Sequence, residues 1–543
     1  MTSGDPRSNR TPNDGPQGDG PLGDVSPGTG TTGNESLGGG PQGGGSPGTG
    51  TVGTGSQGTG SRGDGSRGDG APGTGTTGTE TKRNESPLGG PPATPTPATE
   101  MRRLAGAAVL STALEWFDFL IYATAAALVL GELFFPSFSD IAGTLASFAT
   151  FAVGFVARPV GGIIAGHLGD RFGRKPPLVG ALVVMGVATF GVGVLPTYDA
   201  VGIWAPVLLV FLRLIQGLGV GAQWGGAALL LTEHAPVERR GFYGSLVQTG
   251  AIIGAVAGNA VFLLLTANLS DSAFTSWGWR IPFVTGLALV AVGLYVQLKI
   301  EDSPVFRAMR DESAQAEHAA GTRRSPLSQA VRHHWRAILQ AAGAFFVVNA
   351  TFYILISGML DYGTTHAGLS RTTTLLCVLG AGATQIVTIP LFGALSDRWS
   401  RRKLYLTGAA LMGLFAFPLF WLIDTGSAPL TFLSLLIGFT IHATMYGPQA
   451  ALYAEMFPAE VRYSGASLGY QTASVLAGGL APFLMTAMLA ATGSSWSVSA
   501  YILLLSVLTF IAVYTIKESF RRDLYASGSH RAAQVSVSVS IDM

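Results

Sequence analysis

Charge is scarce in this sequence: of 543 residues, 12% are Asp, Glu, Lys or Arg, 47% are hydrophobic, and the formal net charge is +1. The basic residues are spread over short clusters instead of one face, which excludes a nucleic-acid partner. Cysteine is almost missing as well. A single Cys377, set inside an apolar run, allows no disulfide within the chain. The eight histidines are scattered or lie in loops, and no metal-ligand spacing, phosphate-cradling loop or nucleophile constellation stands out. No metal, no cofactor and no enzymatic reaction are therefore expected.

Apolar side chains are nearly absent from residues 1–100, where much of the glycine sits. The run Ser26 to Gly33 is echoed at Ser46 to Gly53 and at Ala71 to Gly78. Such a low-complexity stretch buries too little apolar surface to offset its chain entropy, and a disordered tail is expected over 1–100. Its glycines keep no strict period of three, which excludes a collagen helix. The Arg-Gly-Asp tripeptides at Arg62 and Arg67 arise readily by chance in a repeat of this composition. No signal peptide is expected, since the first apolar run begins a hundred residues in and is too long for one.

From residue 104 the pattern inverts. Twelve apolar segments follow, at approximately 104–131, 141–166, 176–195, 204–232, 241–267, 280–299, 337–360, 371–395, 403–423, 428–452, 464–492 and 496–516, with charge confined to short clusters between most of them. Each is long enough to cross a hydrocarbon core of about 30 Å. An all-α membrane protein of twelve transmembrane helices is predicted: a first six-helix half over 101–300, a connecting loop over 301–336, a second half over 337–517 and a tail over 518–543. The even-numbered connections hold the basic clusters, including Arg171, Arg174 and Lys175, Arg239 and Arg240, and Arg398, Arg401, Arg402 and Lys403; the odd-numbered ones offer little beyond Arg280 and Arg371. Positive charge stays inside, so both termini are expected in the cytoplasm. Trp204, Trp277 and Trp279 then fall at the outer interface.

Two motifs recur about half a protein apart. Gly166-His-Leu168-Gly-Asp170-Arg171-Phe-Gly173-Arg174-Lys175 returns as Gly393-Ala-Leu395-Ser-Asp397-Arg398-Trp-Ser400-Arg401-Arg402-Lys403, with Asp397 following Asp170 by 227 residues. The pattern E-x-x-P-x-E-x-R runs from Glu233 to Arg240 and again from Glu455 to Arg462, a separation of 222 residues. Near-equal offsets are what duplication of a six-helix unit leaves.

Ionisable residues inside apolar helices carry the functional argument. A charge at the bilayer centre costs about 2.5–3.5 kcal/mol on insertion scales, so it persists only where it is paired or faces water. Glu115 and Asp118 share a face of the first helix, Arg158 precedes Pro159 in the second, and Arg213 lies on the fourth with Gln216 on its face. A carboxylate beside an arginine can exchange a proton when the pair opens toward one side and re-forms on the other. Asp118 with Arg213 is the predicted coupling pair, and Glu115 the alternative carrier. His442 is expected to be a satisfied polar contact. Glycines at every fourth position, such as Gly217 and Gly221 or Gly250 and Gly254, make smooth faces on the fourth and fifth helices, for close packing or for sliding.

The spacing G-x-L-x-D-R-x-G-R-K between two apolar helices resembles the loop signature of the major facilitator superfamily. Leu114-Glu-Trp-Phe-Asp118-Phe, Arg158-Pro-Val-Gly-Gly162, Arg213-Leu-Ile-Gln-Gly217, Trp277-Gly-Trp-Arg-Ile-Pro282 and Arg462-Tyr-Ser-Gly-Ala-Ser-Leu-Gly-Tyr-Gln471 sharpen the resemblance to its metabolite:proton symporters, the permeases of α-ketoglutarate, citrate, shikimate and proline or betaine. The resemblance covers residues 104 to 516. It implies uptake of a small organic acid or zwitterion with a proton by alternating access, in a cell-membrane protein whose partners are the lipid bilayer, its substrate and protons, and which acts as a monomer. It implies gating roles for Asp170, Arg171, Gly173, Arg174, Asp397, Arg398, Glu233, Arg240, Glu455 and Arg462. Ser400 departs from the signature, standing where the first copy has Gly173. Arg158, Gln216, Gln248, Asn259, Tyr353, Tyr446 and Gln471 are candidate substrate contacts by polarity and position. Uniport or efflux on the same fold, and a transporter-like metabolite sensor, remain the alternatives.

Overall fold

The computed structural model describes residues 98–172, 175–221, 228–229, 231–233, 235–300, 326–458 and 461–517. The expected tails at 1–100 and 518–543 and most of the connecting loop 301–336 lie outside the described residues, as do Gly173, Arg174 and the side chains of Asp170 and Arg171. Every regular element among the described residues is helical. In a span without water each backbone N–H and C=O must be paired within its own segment, and the Leu-, Val-, Ala- and Phe-rich runs meet that demand as helices.

Twelve helices cross the molecule in alternating directions: α1 (98–134), α2 (Asp140–Phe172), α3 (Lys175–Val194), α4 (Trp204–Gly221), α5 (Arg240–Asn268), α6 (Ile281–Ile300), α7 (326–365), α8 (Arg371–Trp399), α9 (Arg401–Ile423), α10 (Ala428–Met456), α11 (Arg462–Thr492) and α12 (Trp496–Thr515). Ten have the length and apolarity of membrane spans over their described residues, and α3 contributes a shorter apolar stretch, Val179–Val194. Ser370 caps α8 by accepting a hydrogen bond from the Thr373 amide.

Among the described residues three spans contain a π-helical turn: Ala126–Leu130 in α1, Ile354–Gly358 in α7 and Ser474–Gly479 in α11. The first two stand 228 residues apart, within one residue of the 227-residue offset of the loop repeat, so α1 and α7 are equivalent elements widened at equivalent levels. The seventh span runs to Thr365 instead of the expected 360, carrying Asp361 into the helix.

Within the first six helices, α1 packs on α5 and α6 while α2 packs on α4; within the last six, α7 packs on α11 and α12 and α9 on α10 and α12. Glycine permits the closest of these crossings. A side chain at Gly254 would collide with the Ala113 carbonyl of α1, and one at Gly221 with the Arg158 carbonyl of α2. Across the two sets, α5 lies against α8 and α10, and α2 lies against α11. The α2–α11 and α5–α8 contacts are related by the same internal repeat.

Candidate functional site

Asp118 is 1% exposed and lies midway along α1. Its Oδ2 accepts from Thr189 Oγ1 of α3 at 2.7 Å and from Gln216 Nε2 of α4 at 3.1 Å, and the same Gln216 Nε2 donates to Thr189 at 2.7 Å. Arg213 Nη1 donates to Gln216 Oε1. Gln216 therefore stands between the acid and the base, and no direct ion pair joins Asp118 to Arg213 among the described residues. The expected pair is a relay through an amide. The Arg213 guanidinium instead stacks over Tyr122 at 3.9 Å and Phe119 at 4.9 Å. Asp118 Oδ1 and Arg213 Nε and Nη2 find no hydrogen-bond partner among the described residues. Buried polar groups are ordinarily paired, so these three atoms are the cluster's unsatisfied positions.

Next to this cluster an aromatic seam closes the centre. Trp116 of α1 meets Phe352 edge-on at 5.4 Å and stacks on Tyr353 at 6.5 Å, both from α7. Phe155 of α2 meets Tyr353 at 5.3 Å, and Tyr446 of α10 lies 5.0 Å from His442. Arg158 is wedged between Phe119 and Phe155, 4.2 and 4.0 Å from the ring centres, with its Nε unpartnered. A desolvated cation over aromatic faces gains about 2 kcal/mol. Glu115 is buried on the same side of α1 and interacts electrostatically with Arg158. The seam leaves only a crevice with essentially no room for a water-sized molecule, lined by Trp116, Phe345, Asn349, Phe352, His442 and Tyr446. Ordinary small-molecule pockets measure about 300–1,000 Å³, so the centre is shut. A hollow of about 330 Å³ between Phe134, Phe138, Ile203 and Val207 is lined mostly by apolar side chains, with Ser137 and Tyr198 the exceptions.

The remaining candidates disperse. Gln248 of α5 donates to Gln449 of α10 at 3.0 Å, bridging the two sets of helices at the centre. Gln471 is buried with an unpartnered Oε1. Asn259 is taken up by Thr124 at 2.6 Å, an α1–α5 tie away from the Asp118 cluster. Both ring nitrogens of His442 are engaged, with Gln385 at 2.7 Å and the Val348 carbonyl at 3.2 Å, as expected of a satisfied contact.

Polar contacts join the two sets at both ends. On the face where α1 begins and α12 ends, Asp397 accepts the Gly241 and Phe242 amides at the start of α5, at 2.8 and 2.9 Å. A carboxylate at a helix N-terminus is favoured by the unpaired amides and the helix dipole. Arg401 pairs with Asp397 at 2.8 Å and with Glu455 at 3.3 Å, and Arg462 pairs with Glu233 at 2.7 Å. Arg240 is buried at the start of α5. Arg398, the sequence candidate in this loop, is exposed, and Arg401 holds the carboxylates in its place. Arg401 lies three residues on, past the sharp turn at Ser400, and is buried where Arg398 is not. At the opposite face Arg371 of α8 reaches the Leu128 carbonyl in the π turn of α1 at 3.5 Å and Asp271 at 3.6 Å.

Sequence reasoning missed Thr189 and Gln449, whose side chains signal nothing until a partner helix is placed, and Asp361, set one residue beyond the expected end of the seventh span.

The chain from 104 to 528 matches the family model described as "Sugar (and other) transporter". It is 40% identical over 422 residues to the shikimate transporter of Escherichia coli K12, covering 77% of this chain and 95% of that one. To the inner membrane metabolite transport protein YhjE of the same organism it is 40% identical over 427 residues, covering 77% and 94%. To the Escherichia coli K12 proline/betaine transporter it is 34% identical over 428, covering 78% and 85%. Its fold is similar to the crystal structure of a D-xylose-proton symporter, with a TM-score of 0.60 at 20% identity over 78% of this chain and all of that one.

Proposed function

Because the chain belongs to the sugar (and other) transporter family of the major facilitator superfamily, we propose that it carries a small organic acid or zwitterionic metabolite across the cell membrane together with a proton. It is a multi-pass membrane transporter and not an enzyme. The observation that carries the coupled reading is Asp118, a carboxyl buried mid-span on a relay of Thr189, Gln216 and Arg213. A proton leaving Asp118 makes an anion that Arg213 can neutralise only after Gln216 moves aside, which ties the ionisation to a change in helix packing.

Arg158, between two aromatic faces and beside Tyr353, is the proposed anchor for a substrate carboxylate, with Tyr446, Gln248 and Gln471 as further contacts. Glu115 is the alternative proton carrier. The relatives' names, a shikimate transporter and a proline/betaine transporter, support a compact carboxylate-bearing substrate. The basic loops support placing the termini in the cytoplasm, with Asp397, Arg462 and their partners closing that side.

Proteoliposomes offered labelled shikimate, proline and glycine betaine, with and without an imposed proton gradient, test the proposal. Gradient-driven accumulation is expected, and accumulation indifferent to the gradient overturns it. Asp118→Asn is expected to abolish uphill uptake while exchange of internal for external substrate persists; a variant that still concentrates substrate removes Asp118 from the role.

A further inference from the structure

Three polar side chains follow one another along α7 at four-residue spacing: Tyr353, Ser357 and Asp361. That spacing keeps them on one stripe of a helix. All three are buried, at 0%, 0% and 7% exposure. Tyr353 belongs to the central seam, where its hydroxyl faces Arg158, and the hydroxyl of Ser357 has no hydrogen-bond partner among the described residues. Asp361 Oδ2 accepts from Thr486 of α11 at 3.2 Å. It lies four residues before the end of α7 at Thr365, about 6 Å of helix from the face opposite the termini.

No cation pairs with Asp361 among the described residues. The π turns of α1 and α7 and the segment Ala481–Thr492 of α11 contain no ionisable side chain. The charge at the start of α8, Arg371, is occupied at Leu128 and Asp271. Just past the end of α7, His366 interacts electrostatically with Asp361 without forming an ion pair and stacks on Tyr362 at 5.1 Å; Tyr362 donates to Asp424, which Ser495 also engages. A carboxyl in a membrane helix that no ion pair satisfies is a costly feature that persists for a use.

We propose that Asp361 is a second proton-binding site, at the mouth of a polar stripe along which water and protons pass between the face opposite the termini and the central seam. Its purpose rests on the proton-coupled reading above; its existence does not. A proton from the aqueous side adds to one carboxylate oxygen while the other keeps the Thr486 hydroxyl, and the neutral acid sits in the closed α7–α11 seam. Release of that proton to water regenerates the anion, which draws water in and wets Ser357 one turn deeper.

The test needs no substrate. In the full-length Cys377→Ser protein, Ser357→Cys supplies a single thiol on the stripe, and its reaction rate with a small methanethiosulfonate in detergent is measured at acidic and neutral pH. Each rate is divided by that of the same protein carrying Asp361→Asn, which cancels the thiol's own ionisation. The ratio is expected to rise severalfold from acidic to neutral pH, and Asp361→Glu is expected to keep such a rise with a displaced midpoint. A ratio flat with pH, or a thiol unreactive in every variant, overturns the proposal; should Asp361→Asn not fold, the Glu variant's midpoint against that of the parent decides in its place. Loss of gradient-driven uptake with this pH dependence intact would count against the transport reading alone, and uptake with a flat ratio against this site alone.

Discussion

Ser400 shows how a single residue records the internal repeat. It has φ 106° and ψ 131°, a backbone region where side chains other than glycine are strained, and it stands where the first copy of the loop has Gly173. Its hydroxyl accepts from the Lys403 amide at 3.4 Å, a weak cap. Strain of this kind costs about 1–3 kcal/mol, more than the few tenths that a cap loses on replacement by glycine. Ser400→Gly is therefore expected to stabilise the protein by about 1 kcal/mol and raise its thermal midpoint in detergent, and Ser400→Val to lower it; a lower midpoint for the glycine variant would refute this account. At this scale the sequence was informative where charge met a long apolar run, as at Glu115, Asp118, Arg158 and Arg213. It was silent where a neutral amide decides the geometry. Gln216 was visible as a polar residue on the face of α4, but its place between Asp118 and Arg213 depends on helix rotation, which no single helix reveals.

At the scale of elements, the spans were legible from apolar runs of membrane length, and their ends less so. Asp361 shows why: a charge near the limit of a run reads as loop, yet α7 continues to Thr365, with Thr364 and Thr365 bonding back to the Asp361 carbonyl. The π turns were not legible, since an extra residue per turn leaves no compositional mark. The four-residue glycine spacing was legible and marks backbone contacts. Gly254→Val would drive a branched side chain into the backbone of α1, and overpacking of this kind costs about 1–3 kcal/mol or more. A fall in thermal midpoint with little folded protein recovered is expected on size exclusion, whereas normal yield and stability would mean that α1 and α5 have room to separate.

For the whole molecule, the two sets of six helices meet at both faces and in the middle, so this is a closed arrangement. The ties are unequal. Among the described residues the face of the termini has one ion pair across the sets, Arg462 with Glu233, and two amide–carboxylate bonds to Asp397, which Arg401 braces, whereas the opposite face has Arg371, whose partner Asp271 is 99% exposed. Exposed pairs contribute little. Removing Arg371 by Arg371→Ala should cost the closed form about 1 kcal/mol, chiefly the bond to the Leu128 carbonyl, and shift its ratio to forms open on that side about fivefold. Faster labelling of a thiol at Leu128→Cys in the Cys377→Ser protein would report it; an unchanged rate would show that the aromatic seam alone sets the ratio. The matching wide turns of α1 and α7 add a second kind of freedom. A surplus residue can be handed along a helix from one turn to the next, and each hand-over turns the part it passes by about 100° and moves it about 1.5 Å. Passed toward Thr365, the surplus of α7 would swing Ser357 and then Asp361 around the axis in succession, so that different side chains face the middle while the rest of the bundle stays still.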